Sequence, residues 1–490
     1  MRKESFKTIL LAALVVLSIA LTRQLWMSIP VTSGIPSSKE TDLDTNRKQF
    51  NNTIDISDVI NPQSFTVNFG GVNHTVLFSD SHRIWKEILP MIKGYFEDGV
   101  TVEEITPERW VEIHNVRAIQ VNFGYSMPIG VLRNLAQGKE TGIYGKISAI
   151  SGILIPISED GLIYIWDKSN GKFYKAVGSM SKEKIAAIID QIEEENSIHE
   201  RKFEIPKYDY YYSIKVLFDV NNHVLVPLHV SKGIPEIKVV NEIDMDNLKQ
   251  VDAFASTFFG ENFDFVKKII GTNNSITYMY GYGRKVLKVD AFGGLEYVEE
   301  LDSTKALGTG ELGESVKAAV QFVLSHEITP SHNIYLRDIK IIEKDKKKGY
   351  LLLFTNRING LPVYVKDNRM QAPIEVEVFG KQVTYFKRFL TREKIDISFI
   401  EDTDNLPMLL TPQEALVENF NTIKNHMGLS GEDSKVFNEI LASVRSVELC
   451  YYDYMNGERG KLAPVWRLQL GEDIYFFDGY KGKIISRFKG

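Results

Sequence analysis

Apolar and polar positions change their rhythm several times along the chain, and each change marks an element. Phe6 to Trp26 (FKTILLAALVVLSIALTRQLW) is apolar almost throughout, with Ser18 as its only strongly polar central residue. A bilayer core about 30 Å thick takes on the order of 20 helical residues to cross, so this segment predicts a membrane-spanning helix. Residues 30–52 (PVTSGIPSSKETDLDTNRKQFNN) lack periodicity and are rich in Ser, Thr, Pro and Gly, the composition of a stalk. In SKEKIAAIIDQIEEE, Ile185, Ile188, Ile189 and Ile192 share one face of a helix. YYYSIKVLFDV and VLVPLHV are aromatic and β-branched runs bounded by turn residues, and they predict strands. ESVKAAVQFVLSH predicts a second helix. A third opens on Thr411-Pro412-Gln413-Glu414, a capping box with proline at the first helical position, and closes at Gly428.

A weak repeat runs through the strands. YIWDKSNGKFY, KVDAFGGLEYV and YFFDGYKGKII each place an Asp at the end of an apolar strand and a Gly four residues later: Asp167 and Gly171, Asp290 and Gly294, Asp478 and Gly482. The carboxylate can turn back onto the following amides while glycine accepts positive φ, so the spacing predicts the turn of a β-hairpin. A longer agreement joins LPVYVKD…PIEVEVFGKQVTYFKRF to APVWRLQLGEDIYFFDGYKGKIISRF. Helix followed by antiparallel strands, repeated, gives an α+β chain.

The charges around the first segment orient it. Arg2, Lys3 and Lys7 precede it, which leaves the amino terminus in the cytoplasm and everything after Trp26 outside. Arg23 lies near enough to the helix end for its guanidinium to reach the headgroups. The competing reading is a cleaved secretory signal, with an apolar run from Ile9 to Leu21 and a poor cleavage match at Ser18-Ile19-Ala20 inside that run. The chain has 490 residues, 43% of them hydrophobic and 25% charged, with a net charge of −6. At roughly 150 residues per domain, the part beyond the membrane predicts about three domains. The expected order is tail and anchor (1–28), stalk (29–52), an amino-terminal α+β domain (53–204), a central α+β domain (205–306) and a β-rich carboxyl-terminal domain (307–490). The acidic balance, with no block of Lys or Arg, argues against nucleic acid. The single cysteine, Cys450, excludes an intrachain disulfide and fits export from a bacterium better than a eukaryotic secretory route.

Catalytic and cofactor motifs fail on inspection. Gly308-Thr309-Gly310-Glu311-Leu312-Gly313 matches G-x-G-x-x-G, but six residues separate it from the strand candidate LEYVEEL, where a dinucleotide fingerprint needs direct succession. His326-Glu327 has Pro330 in place of the second His of a zinc motif. Gly124-Tyr125-Ser126-Met127-Pro128 lacks the final glycine of a nucleophile elbow. Cys450, in SVELCYYDY, reads as a small packed residue. The sequence therefore predicts no catalytic residue, no metal site and no cofactor.

LTPQEALVENF followed by PVWRLQL and YFFDGYKGKII resembles the PepSY-type module of exported bacterial proteins. The whole chain, through RKESFKTILLAALVVLSIALTRQLW, its length, the single anchor and the carboxyl-terminal FFDGYKGKIIS, resembles the YycH family of low-GC Gram-positive bacteria. That resemblance implies a non-catalytic extracytoplasmic regulator, anchored by one helix in the cell membrane. It implies that the chain works with its smaller relative YycI to adjust the essential sensor histidine kinase WalK (YycG), and with it cell-wall metabolism, through transmembrane contacts. On the anchor, Ala13, Leu17, Ala20 and Gln24 share a face that admits a second helix, and Ser18 supplies a central hydroxyl. The alternative is a PepSY-type tethered inhibitor or binding module for an exported protease, for which any apolar anchor would serve. Amino-terminal sequencing of the protein from the membrane fraction separates anchor from signal: the original start is expected, and a mature terminus near Leu21 would refute retention.

Overall fold

The computed structural model describes residues 56–78, 81–201, 207–231, 233–302, 312–327, 333–365, 371–394, 406–453 and 460–489. The expected anchor and stalk lie outside the described residues. Among the described residues no helix is long and apolar enough to cross a membrane.

Alternating buried and half-exposed positions build a first sheet. Its strands are β1 (Ser64–Gly70), β2 (Asn73–Leu77), β3 (Thr101–Ile105), β4 (Ala118–Pro128), β5 (Ala149–Pro156), β6 (Leu162–Asp167), β7 (Lys172–Val177), β8 (Tyr210–Ser213) and β9 (Leu225–Pro227). They run antiparallel in the order β3-β7-β6-β5-β4-β1-β2-β8-β9. The helix Lys182–Arg201 lies across β1, β4 and β5 and buries Ile185, Ile189 and Ile192, with Ile188 at the margin. That is the apolar face the sequence predicts.

The second sheet takes β10 (Ile237–Asn241), β11 (Lys267–Ile270), β12 (Ile276–Tyr280), β13 (Lys285–Val289), β14 (Leu295–Glu299), β15 (Asn333–Lys344), β16 (Lys347–Ile358) and β17 (Leu361–Val365). It continues with β18 (Ile374–Phe379), β19 (Gln382–Arg388), β20 (Thr391–Glu393), β21 (Val444–Asp453), β22 (Lys461–Leu470), β23 (Asp473–Asp478) and β24 (Ile484–Phe488). The order is β11-β12-β13-β14-β19-β18-β16-β17-β21-β22-β10-β20, with β15 beside β16, β23 beside β22, and β24 beside β23. Among the described strands, β17 and β21 form the parallel pair. The helix Leu312–Ser325 lies against β16, β18 and β19.

This pairing divides the chain differently from the expected domains. β8 and β9 complete the first sheet, whereas β14 pairs with β19 and β10 with β22, so residues 205–306 are shared between two sheets. Short strands expose unpaired edges, and here those edges are satisfied by distant partners rather than by a small core of their own. Residues 55–490 form one compact unit. One apolar core runs from Val59 to Leu390, and a second, from Ile214 to Phe477, packs the helices after Pro412 against β21, β22 and β23.

Local corrections have local causes. YYYSIKVLFDV is not one strand: β8 stops at Ser213, whose hydroxyl accepts from the Val216 amide at 3.3 Å and caps the short helix Ile214–Phe218. Of VLVPLHV, only Leu225–Pro227 pairs. The capping box at Thr411 is present in both directions, but Asn419 divides the expected helix into Pro412–Glu418 and Phe420–His426 before Gly428 at φ +66°. The helices Leu248–Phe259 and Asp433–Ser443 had no counterpart in the sequence reading.

Inside the second sheet a buried ion pair fastens the end of β10 to β19. Arg388 donates to both oxygens of Glu242, at 2.8 and 2.6 Å, and both side chains are buried. Beside it the Glu327 carboxyl is pushed up to about 7 by burial, against the pull of the Arg388 guanidinium and with the Glu242 carboxylate adding to the rise. Removing one partner leaves a buried charge unpaired, so Arg388→Ala should lower unfolding stability by about 3–5 kcal/mol in urea titration. A raised carboxyl keeps its proton in the folded chain where the unfolded chain has lost it. Between the ordinary value of 4.5 and about 7, Glu327 therefore makes stability fall as pH rises. The difference in melting temperature between about pH 5 and about pH 7.5 should shrink in Glu327→Gln, as calorimetry would record.

Candidate interaction surface at the seam of the two sheets

The three turns the sequence marks are distinct in the fold. At β6–β7, Asp167 is fully buried: Oδ1 accepts from the Ser169 amide (3.1 Å) and hydroxyl (2.6 Å), and Oδ2 from Ser148 Oγ (3.2 Å) and Asn170 Nδ2 (2.8 Å). Gly171 takes φ +63°. At β13–β14, Asp290 Oδ1 accepts from the amides of Phe292 and Gly294, at 2.8 and 2.9 Å. The left-handed residue there is Gly293 at φ +80°, one position before Gly294. At β23–β24, Asp478 Oδ1 accepts from the amides of Tyr480 and Lys481, both at 2.9 Å, and Gly482 has φ +66°. The structure does not gather these turns into one site. Ala13, Leu17, Ser18, Ala20 and Gln24, the expected partner face, lie outside the described residues.

The first turn borders a polar seam where the two sheets meet. β15 lies against β4, and a cluster of charged and aromatic side chains occupies the junction. Arg357, on β16, donates to Asn61 Oδ1 at 2.9 Å and to the Pro62 carbonyl at 2.8 Å, just ahead of β1. Its guanidinium carbon sits 3.6 Å from the centre of the Tyr335 ring. Burial pushes the Tyr335 hydroxyl up to about 12. Gln63 donates to Glu448 Oε1. Gly124, at φ +76°, makes room for it: a Cβ there would meet the Gln63 amide. The other oxygen of Glu448 accepts from Tyr364 Oη at 2.7 Å and lies 3.7 Å from Arg467 Nη1. Glu448 and Arg467 are direct cross-strand neighbours on β21 and β22.

Cations outnumber carboxylates in this cluster. The guanidinium carbons of Arg337 and Arg467 lie 4.5 and 5.3 Å from the centre of one ring, that of Tyr364. Lys168, held in place by its amide donating to Ser151 Oγ at 2.9 Å, projects from the β6–β7 turn. Burial pushes its ammonium down, and the nearby charges of Arg467 and Arg445 push it further. Glu448 is already shared and Asp167 is fully bonded. Among the described residues no carboxylate lies within ion-pair distance of Lys168, Arg337 or Arg445.

Sequence reading did not find this cluster, because its members come from β15, β17, β21, β22 and the β6–β7 turn. The available signal was an arginine inside an otherwise apolar strand, in NIYLRDI and PVWRLQL. The residues weighed for catalysis sit elsewhere or are packed. The His326 ring centre is 4.0 Å from that of Phe258 and 4.2 Å from that of Phe322, and Nδ1 donates to the Phe322 carbonyl at 2.8 Å. Cys450 is buried, which pushes its thiol well up. Gly124 to Met127 form an irregular stretch of β4, where Ser126 and Ser151 share a hydrogen bond of 2.8 Å.

Residues 4–197 match the family model described as YycH protein, N-terminal domain. No curated protein matches the chain. The crystal structure of YycH from Bacillus subtilis superposes with a TM-score of 0.54 at 15% identity, covering 88% of this chain and 97% of that one, so the two share a fold. The C-terminal domain of YpeB from Bacillus megaterium covers 50% of this chain and 97% of its own at 14% identity, with a TM-score of 0.26, too loose a superposition to carry an argument. The chain thus carries a match to the YycH N-terminal domain over residues 4–197 and shares the fold of a solved YycH across most of its length.

Proposed function

We propose that the protein is a non-catalytic, membrane-anchored regulator of the sensor histidine kinase WalK (YycG), working with YycI, with most of its chain outside the cell. The observation that carries this reading is the YycH N-terminal domain match over residues 4–197. It begins ahead of the apolar run Phe6 to Trp26, which supports treating that run as part of the working domain rather than as a leader to be removed. On this reading the anchor itself carries control. Helices in a bilayer gain little from apolar burial against one another, so their association depends on close approach of small residues and on interhelical hydrogen bonds. Ala13 and Ala20 supply the first and Ser18 the second.

Regulation needs differential binding. The helix must favour one signalling state of the kinase, and a bias of about 1.4 kcal/mol changes the ratio of states tenfold. A few packed side chains supply that much. Ala13→Ile with Ala20→Ile keeps hydrophobicity and insertion but adds bulk to the shared face. It should uncouple the kinase at normal membrane levels of a folded, exported protein, read from a reporter of the response regulator. Wild-type output from this variant, together with wild-type output after replacing the whole helix by an unrelated anchor, would reduce the segment to a tether.

A further inference from the structure

We propose that Lys168, Arg337, Arg445 and Arg467 form a docking site for an acidic segment of a partner protein outside the membrane. The inference rests on the regulator reading and adds the chemistry of the outer contact.

Three observations converge. First, the site is cationic on a chain whose net charge is −6, so an acidic partner is repelled by the molecule at large and attracted here. Second, two guanidinium groups share the Tyr364 ring while a single carboxylate, Glu448, serves the floor of the site. One carboxylate beside two guanidinium groups leaves net positive charge at the site, which an incoming carboxylate complements. A guanidinium group offers paired N–H donors in the geometry that carboxylates accept. Third, the backbone beneath Lys168 and the Arg467 side chain are fixed. Lys168 stands on a turn held by the fully buried Asp167 and by Ser151, and Arg467 is paired across the strand with Glu448.

The depth of the site selects the kind of anion. Lys168 and Arg445 are exposed and form a rim, whereas the Arg467 side chain is 14% exposed and lies on the floor. A flat lipid surface meets the rim and not the floor. An acidic side chain on a protein segment reaches both.

The test uses the full chain in nanodiscs of neutral lipid and a fluorescein-labelled octaglutamate peptide, followed by anisotropy. The wild type should bind the peptide, with affinity falling as salt rises. Lys168→Glu with Arg445→Glu should weaken binding by about tenfold or more, because both cations are reversed. Arg337→Gln should weaken it in the same direction. The two rim positions are exposed, so unchanged melting of the double variant is expected and keeps the comparison fair. Absence of octaglutamate binding by the wild type, or equal binding by the double variant, overturns the proposal. So does dependence on these residues for capture of phosphatidylglycerol vesicles or inorganic phosphate without dependence for the peptide. In cells, the response-regulator reporter separates this inference from the regulator reading. If gene deletion shifts the reporter and the double variant does not, the docking site falls and the regulator reading stands. If deletion leaves the reporter unchanged, the regulator reading falls, and the peptide titration alone decides the site.

Discussion

A buried guanidinium, that of Arg357, fixes where the second sheet sits on the first. At 9% exposure the group has lost most of its water, and burial pushes its guanidinium down from the ordinary value, so each contact that favours the charge matters. Two of its nitrogens reach Asn61 and Pro62, and its central carbon lies 3.6 Å from the centre of the Tyr335 ring. Those contacts satisfy only one placement of β16 against the segment leading into β1. The next residue, Gln63, continues the link to Glu448 on β21. Residues 61–63 therefore set the geometry of the seam, and the charged cluster over Tyr364 follows from it.

The pair formed by Arg388 and Glu242 obeys the same rule in another place. Two well-packed apolar side chains would serve β10 and β19 as well in energy, since desolvating both charges offsets most of their attraction. What the pair adds is register: a bidentate contact at 2.6 and 2.8 Å is met by one alignment of the strands. A sheet of this many strands, with partners drawn from distant parts of the chain, gains more from such discrimination than from extra affinity.

Legibility in the sequence followed distance along the chain. Ile185, Ile189 and Ile192 declare their helix through spacing alone, and Thr411 with Glu414 declares a helix start, because each signal is complete within one turn or two. The hairpin turns at Asp167 and Asp478 are local in the same way. YYYSIKVLFDV misleads because its composition favours a strand throughout while one hydroxyl, that of Ser213, diverts the backbone into a helix. The seam is illegible for the opposite reason. Arg357 and Asn61 stand 296 positions apart, and Tyr364 and Glu448 stand 84 apart. No periodicity relates residues whose proximity is created by strand pairing.

The two proposed contacts, one in the bilayer and one at the seam, differ in what each can contribute to control. A helix held in the membrane meets its partner at the high effective concentration of a shared surface, so the outer contact has no need of high affinity on its own. Weakness is then useful. A rim of exposed lysine and arginine exchanges its partner quickly and responds to ionic strength, whereas small residues packed between helices persist. In the proposed scheme the helix contact, stronger in one signalling state than in the other, carries the control, and the outer contact, readily made and lost, adjusts it from outside.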